Sequence, residues 1–396
     1  MSNGNADIEK NPADVDVNQY DVEAETHAYV ESLDQIQAED ASRFLDVGID
    51  TAEIGRAGTF IQKDMSVIHS HARQEGVEVM SISKALSKHS WLADYLWRYI
   101  DPGKDAFTSR AKSAPHEGYF IRTEPGAQVK DPVQSCLYIA KERFSQNVHN
   151  VVIAEEGSYL QVITGCASSA HLLSGLHVGV SEFYVKKGAK LHFTMIHEWG
   201  EKVNVRPRTH VHVEAGGEFV SNYISLKPVG SLQMNPVTHL AGEGAVARFN
   251  SVLVANKGCL MDVGSRVILS APGTRAEIIS RAIAAGGTIV ARGELVGKAP
   301  GIKAHLECKG LILKEGLMHA IPELRGYVPG VEMSHEAAVG KIDRGDIEYL
   351  MARGVNEEEA ISMIVRGFMN VDIEGLPPGL RQNIDKIINE TQKDMM

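Results

Sequence analysis

Glu218-Phe-Val-Ser-Asn-Tyr-Ile224, opening two residues after Gly216, is the stretch from which the fold is read. A short run that mixes β-branched and aromatic side chains with polar ones, entered from a glycine turn, spells a strand and is too brief for a helix. The same texture recurs on either side, at Ser158-Tyr-Leu-Gln-Val-Ile163, Lys190-Leu-His-Phe-Thr-Met195, Ala247-Arg-Phe-Asn-Ser-Val-Leu253 and Thr288-Ile-Val-Ala-Arg292. Glycines precede such runs at 157, 188, 216, 244, 273 and 301, separated by 31, 28, 28, 29 and 28 residues. With 37 glycines in the chain the register is loose. Many short strands with few hairpin dipeptides nevertheless fit a coil of parallel rungs, a β-solenoid, better than a sandwich.

Outward from this core the texture changes. Residues 21–117 read as a helical N-terminal domain, with Leu86, Trp91, Leu92, Tyr95 and Leu96 at three- and four-residue steps after Ser81, closing near Asp101-Pro102-Gly103. Residues 118–340 form the β core. After Gly340 the chain is helical again: Ile347, Leu350 and Met351 mark one helix, and Asn356-Glu-Glu-Glu359 caps a second with Ile361, Ile364, Val365 and Phe368 on one face. Residues 341–396 are therefore a C-terminal helical domain whose apolar stripe suits a partner or the adjacent helix.

Charge and composition narrow the function. Of the 396 residues, the first 50 hold 13 acidic side chains against Lys10 and Arg43, which accounts for the whole net charge of −11. A neutral body behind an acidic head offers no footprint for nucleic acid or anionic lipid, and residues 1–20 read as a disordered acidic tail. No apolar run approaches the roughly 18 residues of a membrane span, and no basic-then-apolar leader opens the chain, so a cytoplasmic protein is expected.

Familiar catalytic motifs are missing. Gly103-Lys104, Gly297-Lys298 and Gly340-Lys341 are followed by Asp, Ala and Ile, so no phosphate-cradling loop exists and the chain itself is not expected to hydrolyse ATP. His335-Glu336 lacks the second histidine of a zinc helix. His210-Val-His212 reads as two polar positions on an exposed sheet face. Cys136, Cys166, Cys259 and Cys308 are too widely spaced for a zinc ribbon. Cys136 reads as core, whereas Cys259, beside Gly258, reads as turn filler first and as a candidate metal ligand second.

The segment from Glu307 to Phe368 redirects the reading. Glu307-Cys308-Lys309-Gly310, His319-Ala-Ile-Pro-Glu-Leu, Val331-Glu-Met-Ser-His335-Glu336-Ala-Ala-Val-Gly-Lys341 and Arg353-Gly-Val-Asn-Glu-Glu-Glu-Ala360 through Phe368 resemble the C-terminal signature of the SufB/SufD family, scaffold subunits of SUF iron–sulfur cluster assembly. Glu156-Gly157, Gly165-Cys166-Ala-Ser and Thr194-Met-Ile-His-Glu-Trp199 resemble further SufB blocks, so the likeness spans about residues 118–390.

That resemblance implies a right-handed parallel β-helix flanked by helical domains, dimerisation through the core, and docking of the ABC-type ATPase SufC on the C-terminal helices. It implies that Cys166 takes sulfur from a donor protein, that sulfur travels through the β-helix, and that Cys308 receives it. Cys308, His335 and Glu336 would hold a nascent [4Fe–4S] or [2Fe–2S] cluster, with Cys259 in reserve. Two departures stand out: His197 replaces the usual Gln, and the Ala-Ala-Val-Gly after Glu336 is SufD-like. One chain with both sets of features suits a homodimer.

The chemistry is reasonable on its own terms. A thiolate attacks a persulfide and then carries the sulfane sulfur, which requires access and a lowered thiol pKa. Stable clusters take four thiolates, so a mixed Cys/His/Glu set is a weak holder, as a scaffold needs. The alternatives are a SufD-like structural subunit without cluster chemistry and a β-helix polysaccharide enzyme. The latter is disfavoured by 3 Trp and 6% aromatic residues, too few for sugar platforms.

Overall fold

The computed structural model describes residues 15–369. From Tyr119 to Gly340 the described chain is strand and turn without a helix, wound into a parallel β-helix with two long walls. One wall has ten strands and ends at Glu332–Gly340; the other has eleven and ends at Leu317–Gly326. Glu218 lies beside Val246, Arg275, Lys303 and Glu332 in successive coils, so one coil takes 28 or 29 residues, the interval seen between glycines.

Those glycines have a shared cause. Gly157, Gly188, Gly216, Gly244, Gly273 and Gly301 turn one corner of successive coils with φ between +64° and +70°, a left-handed conformation that costs other residues roughly 1–2 kcal/mol. A Cβ on Gly273 would point at the Gly244 backbone, 3.9 Å from its nitrogen.

The inner faces meet in one continuous apolar core, in which Phe219, Ala247, Ala276 and Ala304 stack in register. A second apolar cluster lies on the outside of the ten-stranded wall. There Ile196, Ile224, Val252, Val254 and Ile283 are covered by Phe44, Val47 and Ile49 of the N-terminal segment and by Val365 and Met369 of a C-terminal helix. The flanking helices are α1 (Ala38–Asp46), α2 (Ile82–Lys88), α3 (Ala106–Ser113), α4 (Arg344–Met351) and α5 (Glu357–Met369).

The flanks differ from the sequence reading in three ways. Residues 21–117 also hold the strands Gly58–Lys63, Ser66–Ala72 and Val77–Ser81. Gly58–Lys63 joins the ten-stranded wall in parallel while its hairpin partner and Val77–Ser81 add antiparallel strands at the first coils. The periodic stretch 81–96 is broken at His89 into α2 and a 3-10 turn, Ser90–Tyr95. Finally, residues 15–20 of the expected disordered tail are packed, because Val15, Val17 and Tyr20 rest on Ile100 and Phe107, and Arg110 donates to the Tyr20 carbonyl at 2.6 Å. Residues 1–14 and 370–396 lie outside the described residues.

The corner glycines give a direct test. Gly273→Ala should lower unfolding free energy by about 1–2 kcal/mol in urea titration, while Gly367→Ala, on the open face of α5, should be neutral or stabilising by up to about 1 kcal/mol. Equal effects at both sites would show that the left-handed corner carries no cost.

Candidate functional site

Cys308 sits on strand Lys303–Leu313, one coil in from the terminal strand Glu332–Gly340. Side chains alternate across a strand, so Ala304, Leu306 and Cys308 point into the core while His305, Glu307 and Lys309 point out. The parallel register sets Leu306 beside His335, Glu307 beside Glu336 and Cys308 beside Ala337. His335 therefore shares the inner face with Cys308 as a diagonal neighbour, and Glu336 stands on the opposite face of the sheet. The three residues named together from the signature do not converge as they stand: the wall itself separates Glu336 from Cys308.

Nor is the thiol open. Cys308 is fully buried, and burial, helped by the Glu307 charge, pushes its thiol up to about 11. Such a group is a poor nucleophile near neutral pH. His335 and Glu336 are by contrast exposed, since no further coil among the described residues covers the terminal one.

On the outer face Glu336 meets residues that the signature did not single out. Ligand atoms of His305, Glu307 and Glu336 all lie within 4.8 Å of one another. Lys309 Nζ is 3.0 Å from Glu307 and 3.4 Å from Glu336, and Arg281 pairs with Glu307. The alternation His305-Leu-Glu307-Cys-Lys309 was the available signal, since every second residue of a strand shares a face.

Cys166 also points inward and is fully buried, its thiol raised by desolvation. Five strand spacings separate its coil from that of Cys308, on the order of 24 Å at about 4.8 Å each. Direct exchange between the two thiols is excluded at that range. Between them, Tyr223, Ser251, Ser280 and Cys308 form one inward file. Tyr223 Oη is 2.7 Å from His197 Nδ1, His197 is in register with Cys166, and Ser251 donates to Ser280 at 3.1 Å. An internal cavity of about 50 Å³, lined by Phe193, Met195, Tyr223, Ser251 and Ser280 among others, lies along this file.

The remaining candidates fall elsewhere. Cys259 is buried in the core at a corner, not exposed on its turn, with its thiol raised by burial to about 11. Cys136 is core, though on the outer side of its strand within the cluster under α1. His210 and His212 are half-buried rather than open, because Tyr99 stacks on both rings at 4.5 and 5.0 Å. Asn356 caps α5 through its side chain to Glu359 N at 2.8 Å. The stripe of α5 is largely spent within the chain, for Val365 is buried in the outer cluster and Ile361 and Phe368 pack on its edge. Tyr349, Met351 and Met363 are the exposed apolar side chains of these helices.

Residues 137–368, the coils and C-terminal helices just described, match the model of the SufBD core domain of SUF-system iron–sulfur cluster assembly. The chain belongs to the SufBD family. An Archaeoglobus fulgidus iron–sulfur cluster assembly SufBD family protein is 50% identical over 90% of this chain and 96% of its own length. A Methanothermobacter thermautotrophicus relative of the same name is 45% identical over 94% of this chain and 92% of its own, and one from Pyrococcus horikoshii is 29% identical over 91% and 82%. The matched residues thus include Cys166, Cys259 and Cys308 together with the outer trio. No helix among the described residues is long and apolar enough to cross a membrane.

The interior histidines set a pH dependence. Burial lowers His177 to about 3 and holds His197 well below the ordinary imidazole range. Below about pH 6.5 the unfolded chain protonates these rings and the folded chain does not, so stability present above that pH is lost as pH falls, by up to about 1.4 kcal/mol per unit per ring. His197→Gln should therefore flatten the fall in unfolding free energy between pH 6.5 and 4.5. A slope equal to wild type would mean that His197 is charged inside the fold.

Proposed function

We propose that this SufBD-family chain is the scaffold on which an iron–sulfur cluster is built, with Cys308 as the sulfur-accepting group. The observation that carries the reading is the position of Cys308: an inward thiol separated from the open end of the β-helix by a single, largely exposed coil. Moving the strand Glu332–Gly340 uncovers Cys308 and leaves the other coils paired. No other cysteine among the described residues stands so near an end.

Sulfur transfer needs no outside redox partner. A Cys308 thiolate that attacks the outer sulfur of a persulfide takes that sulfur, and the donor leaves as a thiolate. The distance between Cys166 and Cys308 requires a carrier along the inner file if Cys166 is the first acceptor. Iron and the cluster are cargo, delivered to and released from the exposed end; whether four irons or two are assembled follows from the ligands that a second copy supplies.

The terminal strands also suggest the dimer. Among the described residues, Glu332–Gly340 and Leu317–Gly326 leave unpaired edges, which proteins seldom expose without a partner, and Leu317, Tyr327 and Val339 are exposed beside them. A homodimer joined there places two Cys308 coils face to face and gives a fuller ligand set than one chain holds. An ABC-type ATPase supplies the work of opening; its docking surface is assigned to the exposed side of α4 and α5, at Tyr349, Met351 and Met363, since the opposite side is occupied. Scaffold, not enzyme, is the resulting role, and a cytoplasmic setting suits it.

One observation favours the second reading, a structural subunit without cluster chemistry: all four cysteines are buried. Anaerobic reconstitution with iron and sulfide separates the two. The scaffold reading expects cluster absorption in wild type and its near-complete loss in Cys308→Ser; equal spectra from both would refute it. Tyr349→Asp with Met363→Asp should abolish co-purification of the ATPase and leave the dimer intact, whereas retained binding would move the docking surface elsewhere.

A further inference from the structure

We propose that His305, Glu307 and Glu336 form a divalent-cation site on the outer face of the last two coils, suited to ferrous iron. The three come from two strands: His305 and Glu307 share a face two residues apart, and the parallel register sets Glu336 beside Glu307. Their ligand atoms already lie within 4.8 Å of one another. Bonds of about 2.0–2.2 Å hold the ligand atoms of one ion roughly 3–3.6 Å apart, so rotamer shifts of up to about 1 Å in these surface side chains close the site. His305 Nδ1 is hydrogen-bonded to Ser334 Oγ at 2.9 Å, the kind of contact that fixes ring and tautomer in metal-binding histidines and leaves the other ring nitrogen for an ion.

Both carboxylates already face cations. Glu307 accepts a hydrogen bond from Lys309 and pairs with Arg281. Lys309 reaches both Glu307 and Glu336, so an ammonium now occupies the place of positive charge and swings out when a metal enters. One imidazole and two carboxylates make a borderline-to-hard donor set with open positions, which suits ferrous iron, manganese or zinc and not a thiolate-seeking ion. Glu307 is the chain neighbour of Cys308, so the ion waits on one side of the wall while the thiol lies on the other. The choice of iron rests on the scaffold reading; the site itself does not.

Cobalt(II) titration of the full chain, anaerobic and without sulfide or ATPase, tests the site. One ion per chain should bind with a nitrogen/oxygen d–d spectrum and no thiolate charge-transfer band. His305→Ala and Glu336→Gln should weaken binding by at least about 10-fold, Lys309→Met should tighten it, and Cys308→Ser should leave it unchanged. Absence of binding, a thiolate band lost in Cys308→Ser, or indifference to His305→Ala would each overturn the site. Ferrous iron in competition with cobalt then reports the physiological ion. Cobalt bound here by a chain that fails to build a cluster would count against the scaffold alone; a cluster built without cobalt binding would count against the site alone.

Discussion

The parallel register between successive coils is the constraint on which the rest depends. Because side chains alternate strictly across each strand, a slip of one residue would exchange every inward group with every outward one. The register is held by the repeated corner and by the continuous apolar stack from Phe219 to Ala304. It decides that Cys308 and His335 face in and that His305, Glu307 and Glu336 face out. The chemistry is thus divided between the two faces of one wall, a thiol kept dry and a polar trio kept wet.

On the proposed scaffold reading, this division keeps the thiol of the closed chain unreactive. A buried thiol with a raised pKa neither attacks nor chelates readily, and it is also protected from oxidation. In the proposed mechanism, the same burial that stabilises the β-helix withholds Cys308 until the end coil moves. Opening there would move few residues: among the described residues, the terminal strand is mostly exposed and pairs with a coil on only one side. α5 rests on the outer cluster of the same wall through Val365 and Met369, which is where the proposed mechanism couples a partner to that motion.

Much of the architecture was legible in the sequence because it is periodic. The glycine interval is the coil length, and the left-handed φ at each corner explains why glycine recurs where other residues would be strained. Local capping at Asn356 was legible too. What sequence did not disclose is set by tertiary context. The strands 58–81 lacked the glycine interval and were absorbed into a helical reading. The apolar stripe of α5 identified a buried face correctly but not its occupant, which is this chain's own wall. Cys308, His335 and Glu336 are near in the signature, yet strand parity puts Glu336 with His305 and Glu307 instead. Proximity in a motif misleads wherever two neighbours fall on opposite faces.

The central claim, that Cys308 is sealed at rest and released by opening of the terminal coil, is tested most directly by the rate of Cys308 alkylation, read by mass spectrometry with and without the ATPase partner and ATP. The expected result is slow labelling of all four cysteines in the free protein and a rise of at least about tenfold at Cys308 alone in the ATP-bound complex, with Cys136 and Cys259 unchanged. Rapid labelling of Cys308 in the free protein, or a rise shared equally by all four cysteines, would contradict it.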